Sequence, residues 1–329
     1  MPPPTAPIPV VRRLRAVLPP DAFLPNRRRT IEAVLHLAAV LVGVGMIRVA
    51  PATGPLATCR VGHSLLCLAL IAHEASHRAL ALPAPARRWF CLVTLGLNLV
   101  PPTMWNRVHN DAHHQHAGTP SDPDRPFMTT EMSTATRWYS AVLYPHADTF
   151  IGPLVFVHFV AYLLRNVATV FYPAPHKPAI VPARPMYTRR EQLTVASELV
   201  WIVLMQVGAW HLSGATWAQY VWIGPFAWMA ASSLLMAYVF TNHFLNDLSH
   251  GADPLAGTTS VIVPRWVDRL HGHFSYHTEH HLFPTMNPDY YPLVSTWLSA
   301  HTADRYQRLP FREAWRRLWR RKPFQAPPA

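Results

Sequence analysis

Residues 217–240 read WAQYVWIGPFAWMAASSLLMAYVF and hold no charged side chain. A helix needs about 20 mostly apolar residues to cross the hydrocarbon core of a bilayer. The stretch, taken to residue 241, is therefore predicted to span a membrane. Working outward, 31–49, 56–76 and 195–213 meet the same length requirement. Each of these three carries an ionisable residue, among them Glu32, Arg60, His63 and Glu198. Such groups sit near the ends of a span or face the bundle interior. Two further apolar runs are too short to cross. WFCLVTLGLNLV (89–100), which ends at Pro101 and Pro102, is expected to be re-entrant or interfacial. FIGPLVFVHFVAYLL (150–164), closed by Arg165, is expected to be an interfacial helix.

The composition agrees with a membrane protein. Of the 329 residues 50% are hydrophobic and only 14% charged, against about 25% charged in a typical soluble domain. The net charge of +12 does not indicate nucleic acid, because no zinc finger, helix-turn-helix or aromatic RNA-binding signature accompanies it. The basic residues instead flank apolar segments. Arg12, Arg13, Arg15, Arg27, Arg28 and Arg29 precede the first, and Arg312, Arg316, Arg317, Arg320, Arg321 and Lys322 lie near the end. They read as cytoplasmic anchors facing anionic lipid. Cys59, Cys67 and Cys91 have no CxxC spacing, so neither a disulfide framework nor a thiolate metal site is indicated. The proline-rich opening lacks a signal-peptide pattern, and no internal repeat is evident. The expected organisation is a disordered Pro/Arg-rich tail at 1–30, a membrane domain at 31–310 and a basic tail at 311–329.

The chain holds 20 histidines, most of them in dense groups. HEASH places His73 and His77 at i and i+4, on one helical face. WNRVHNDAHHQHAGTPSDPDR follows, with His109, His113, His114 and His116. On an ideal helix His109, His113 and His116 share a stripe and His114 points about 100° from His113. Two metals could use both directions, and spacing does not choose among the four. TNHFLNDLSH places His243 at the end of the fourth span and His250 in the loop beyond. In HGHFSYHTEHH (271–281), His273, His277, His280 and His281 fall in one helical stripe roughly 100° wide. With the N-terminus inside, two spans followed by two more return every group to one side of the membrane. That parity holds only if 150–164 does not cross. His36, His146, His158, His176, His211 and His301 lack companions at ligand spacing and read as structural.

These residues resemble the integral-membrane fatty acid desaturases with three histidine boxes. HEASH is similar to the first box, HNDAHH to the second and HTEHH, continued by LFPTMNPDYYPLV, to the third; DPDR after the second also fits. The resemblance covers about 60–300. It implies an all-α membrane protein, four transmembrane helices under a cytosolic helical cap, with both termini cytoplasmic. It also implies a non-haem di-iron centre whose ligands would be His73, His77, His109, His113, His114, His243, His277, His280 and His281. His116 adds a further imidazole to the second box. Val239 stands where some members carry asparagine, with Asn242 and Asn246 nearby.

The implied reaction is insertion of a double bond into a fatty acyl chain, with O2 as co-substrate. No HPGG haem motif and no flavin or nicotinamide fingerprint is apparent. Electrons are thus expected from an external ferredoxin, rubredoxin or cytochrome b5. The third box begins with His277, not the glutamine common in front-end desaturases with a fused haem domain. Glu74, Asp111 and Glu279 are candidates for fixing ring tautomers. The alternatives are a hydroxylase or acetylenase on the same scaffold, an intramembrane zinc protease using HEASH with Glu74 as base, and a protein that binds metal reversibly without catalysis.

Overall fold

The computed structural model describes residues 8–119, 121–124, 162–171, 187–249 and 251–321. Its long helices are α2 (Arg27–Val49), α3 (Gly54–Ser76), α5 (Arg189–Ser213) and the pair α6 (Trp217–Ile223) and α7 (Pro225–His243). Four spans of sufficient length and apolarity result, as expected. The fourth is interrupted at Gly224–Pro225, where proline opens the second half. Asn26 caps α2 by accepting from the backbone N–H groups of Arg28 and Arg29. Thr188 and Glu191 form a capping box on α5, and Thr216 and Gln219 one on α6.

α3 is the central helix and packs against α2, α4 (Ala84–Leu97), α6 and α7. Glycine permits its closest approach to α7. A Cβ on Gly62 would lie 2.8 Å from the Ala227 carbonyl oxygen. By contrast α2 and α5 turn large apolar side chains outward, among them Leu35, Leu41, Val203 and Leu212. Lipid is the solvent that such faces suit.

Residues 89–97 of the 89–100 run lie within α4, which is too short to cross. The chain then reverses at Leu99, whose φ is +62°, and returns through a helical turn at Pro102–Trp105. Asn98 at the tip donates to the Leu65 carbonyl, eight residues or about 12 Å below His73 along α3. The run is thus the descending arm of a hairpin that re-enters the bundle. Glu198 serves the ascending arm, accepting from the backbone N–H and hydroxyl of Thr103 at 3.0 and 2.7 Å. The 150–164 run falls outside the described residues except for its last three, and His146, His158, His176 and His250 fall outside altogether.

A cap of short elements closes one end of the bundle. It contains α8 (Arg265–Leu270), α9 (His277–Leu282), α10 (Tyr291–His301) and α11 (Phe311–Trp319). Strand β1 (Ser260–Ile262) pairs in parallel with β2 (Arg308–Pro310), a small departure from an all-helical chain. Both segments expected as tails carry a helix that packs on the rest of the chain. Ile8–Val17 forms helix α1, and Leu14 and Leu18 bury against Leu255, Phe283 and Leu298 in the cap core. At the other end Leu318 of α11 packs on Met236 and Phe240 of α7. Nor is Arg29 a lipid anchor. It is 1% exposed and bound to Glu74 at 2.8 Å.

Candidate metal centre

His73 and His77 end α3, His243 ends α7, and α9 carries His277, His280 and His281. These helix ends meet under the cap, beside the ascending arm of the hairpin. There Asn106–His113 is a π-helix, in which the N–H of His114 reaches back to the carbonyl of His109. Closing i→i+5 admits an additional residue to the turn. The α-helical wheel therefore fails at this point. The rings of His113 and His114 both lie close to that of His109, at 5.1 and 4.9 Å, and His116 is not among the histidines that gather there.

All nine histidines singled out above lie in two groups. One holds His73, His77, His109, His114 and His280, the other His113, His243, His277 and His281. Within each group one donor atom per ring lies within 4.8 Å of every other. The second and third boxes each contribute to both groups. His273 joins neither. It precedes α9 with φ +59° and pairs with Asp268 at 2.6 Å, outside the stripe expected of it.

The inward nitrogens are arranged for a cation. Nε2 of His73, His77 and His109 is buried without a protein partner. Nε2 of His277 faces Nε2 of His243 at 2.6 Å and of His281 at 3.2 Å, and His280 faces His114 at 3.2 Å. Two imidazole nitrogens in contact share at most one proton, and lone pairs aimed together call for a positive centre between them. Burial, reinforced by neighbouring histidines, holds His77, His114, His277, His280 and His281 well below the ordinary imidazole value. Neutral rings result, the form in which histidine binds metal. A set of nine imidazoles fits divalent first-row transition ions, iron among them.

The carboxylates that orient these rings are not the three expected. Glu74 is taken by Arg29, Asp111 by Arg107 at 2.8 Å, and Glu279 by the hydroxyls of Ser260 and Tyr306. Asp122 faces His113 Nδ1 at 2.8 Å instead, and Asp124 faces His109 Nδ1 at 3.6 Å. Burial opposes charge on His113, but Asp122 overrides it and raises the ring's value. Burial likewise opposes charge on Asp124, yet Arg165 at 2.7 Å holds its carboxyl well below the usual range. Tyr291 meets His280 Nδ1 at 3.1 Å. DPDR was the available signal for both aspartates, although nothing in it names the rings they face.

An apolar cavity of about 120 Å³ opens from this cluster between α3, α4 and α7. His73, His109, His113, His243 and His277 form one end, and Leu70, Leu95, Val100, Leu235, Val239 and Phe240 line its walls. A smaller void shares Ala69, Asn98 and Leu235 with it and continues to Trp228 and Ser232.

The sequence model of the family described as Fatty acid desaturase matches residues 49–315, most of the chain and all three boxes. This chain belongs to the fatty acid desaturase family. Membership makes it a membrane-bound oxidoreductase acting on fatty acyl chains by desaturase or hydroxylase-type chemistry. No similar protein was found among those that have been curated. All eight box histidines fall in the two groups, and His243 at the end of the fourth span is the ninth member.

Proposed function

We propose that the chain is an O2-dependent acyl desaturase with two irons held by the nine histidines. One observation carries this reading: two groups of imidazoles lie side by side, and five of the nine rings form the end wall of an apolar cavity. Acid–base side chains do not break an unactivated C–H bond, and bound iron with O2 would supply the oxidant. Two hydrogens leave adjacent methylenes. With two electrons and two protons from outside, one O2 becomes two waters.

The protein's own part is positional. His73, His77, His109, His114 and His280 would hold one ion, and His113, His243, His277 and His281 the other. Asp122 and Asp124, facing Nδ1 of His113 and His109, fix the tautomer in which Nε2 is the nitrogen offered to the metal. The cavity walls hold the chain extended and exclude water from its reacting carbons. Bound to Arg29, Glu74 is no free base, which weighs against a zinc protease. The exposed Arg12, Arg13 and Arg15 on α1 favour a cytoplasmic cap, within reach of an external electron donor.

The test is iron content and product. Purified protein is expected to hold two irons per chain. Expression with a competent reductase and electron donor, in a host of defined lipid profile, is expected to yield acyl chains two hydrogens lighter. A product that retains an oxygen atom would replace desaturation by hydroxylation, and zinc without iron would remove the oxidase reading.

A further inference from the structure

A third group of metal-binding side chains lies inside the bundle. His63 and Cys67 stand at i and i+4 on α3, on one helical face, and Cys67 Sγ is 3.6 Å from His63 Nε2. His36 comes from α2, its ring 5.8 Å from that of His63. One donor atom from each of the three lies within 4.8 Å of the others. His36 thus has companions after all, drawn from a neighbouring span. His63 and Cys67 precede His73 by ten and six residues, which sets them about 9–15 Å from the five-histidine group along α3. No donor is shared between the two sites.

Ionisable groups within a span are rare and mark partners or function. Two imidazoles and a thiol gathered between two such helices are a donor set for a borderline-soft cation. His271 lies beside it. Its ring is 5.5 Å from that of His63, and Tyr238 engages its Nδ1 at 2.9 Å. A ring fixed through one nitrogen presents the other to a metal in a set tautomer.

We propose that His36, His63 and Cys67 form a separate site for one divalent cation of the Zn2+ type, with His271 as the fourth ligand. Binding forms an S–metal bond and breaks the S–H bond, and the thiol proton leaves to water. The ion joins α2 to α3 and ties both to the loop after α8, a structural clasp beneath the cap.

Co2+ tests this directly, since thiolate–cobalt charge transfer absorbs in the near ultraviolet and the nine-histidine centre contains no sulfur. Cys59 and Cys91 join no such group among the described residues. Full-length protein in detergent, stripped by chelator and titrated with Co2+, is expected to develop the band with a single ion per chain. Excess Zn2+ should remove it, Cys67→Ser should lack it, and His36→Gln should show it only at higher Co2+. Absence of the band, or its full strength in Cys67→Ser, overturns the site. Should Cys67→Ser fail to fold, His36→Gln decides alone, and an unchanged titration overturns it. The readout needs no turnover, so it stands or falls apart from the desaturase reading.

Discussion

In the segment 106–124 the imidazoles of His109 and His113 face the carboxylates of Asp124 and Asp122. In α9 the carboxylate turns the other way. Glu279, between His277 and His280, is fully buried and accepts from Ser260 at 2.5 Å and from Tyr306. Tyr306 in turn bonds to Ser295 on α10. Nδ1 of His277 and of His281 has no hydrogen-bond partner. The second box therefore orients two of its rings, His109 and His113, by charge. The third fixes its whole helix to the cap, gives a hydroxyl partner to His280 alone, and lets helical geometry aim His277 and His281. A π-helical turn is an irregular platform, and its rings need individual restraint. A helix pinned at Glu279 does not.

The largest effect expected from this contrast is at Asp122. Asp122→Asn keeps the shape but removes the charge that holds the His113 tautomer. Metal affinity or turnover should fall about 10–100-fold, with little change in thermal stability. Iron per chain and the unfolding midpoint, measured on the same preparation, check it. A lowered midpoint with full iron retention would make Asp122 a structural residue and erase the contrast.

Glu279→Ala should behave in the opposite way. It leaves the hydroxyl of Ser260 without its buried acceptor and deprives Tyr306 of one of two partners. A loss of about 1–3 kcal/mol in stability follows, read as a lower midpoint, while the folded fraction still takes up iron. Selective loss of iron at an unchanged midpoint would show that Glu279 acts on the metal and not on the helix.

The histidines were legible because ligand spacing within each box is local, and the spans because apolar length is a property of composition. Their division into five and four was not legible. It depends on the π-turn at 106–113, and nothing in NRVHNDAH distinguishes i→i+5 from i→i+4 closure. The orienting carboxylates were sought within two residues of the ligands in sequence, at Glu74, Asp111 and Glu279. A helical neighbour points about 100° away, so adjacency to a ligand argues against contact with the same centre. Asp122 and Asp124 reach the rings from a loop, through space. Helix α1 was hidden because the residues it packs on in the cap core, among them Leu255, Phe283 and Leu298, lie beyond residue 250. His36, dismissed for want of companions in its own helix, finds them on the next.

His273 offers the smallest test, on the side of the third box away from the metal. Its ring lies between Asp268, 2.6 Å from Nδ1, and Asp289, 3.6 Å from Nε2, with Arg28 also 3.6 Å from Asp289. Burial opposes charge on the ring, but the two carboxylates outweigh it and raise its value to about 9. An unfolded histidine titrates near about 6.5. The folded state therefore binds the proton more tightly, and this contribution to stability is complete below about pH 6.5. It fades as pH rises through about 9. The amount is on the order of 1 kcal/mol once solvent screening at a partly exposed pair is allowed for. His273→Gln removes the titrating group, so its midpoint should lie below that of the native chain at pH 6 and approach it by pH 10. Parallel pH profiles would mean that the third box draws no support from this pair and that its helix is held from the Glu279 side alone.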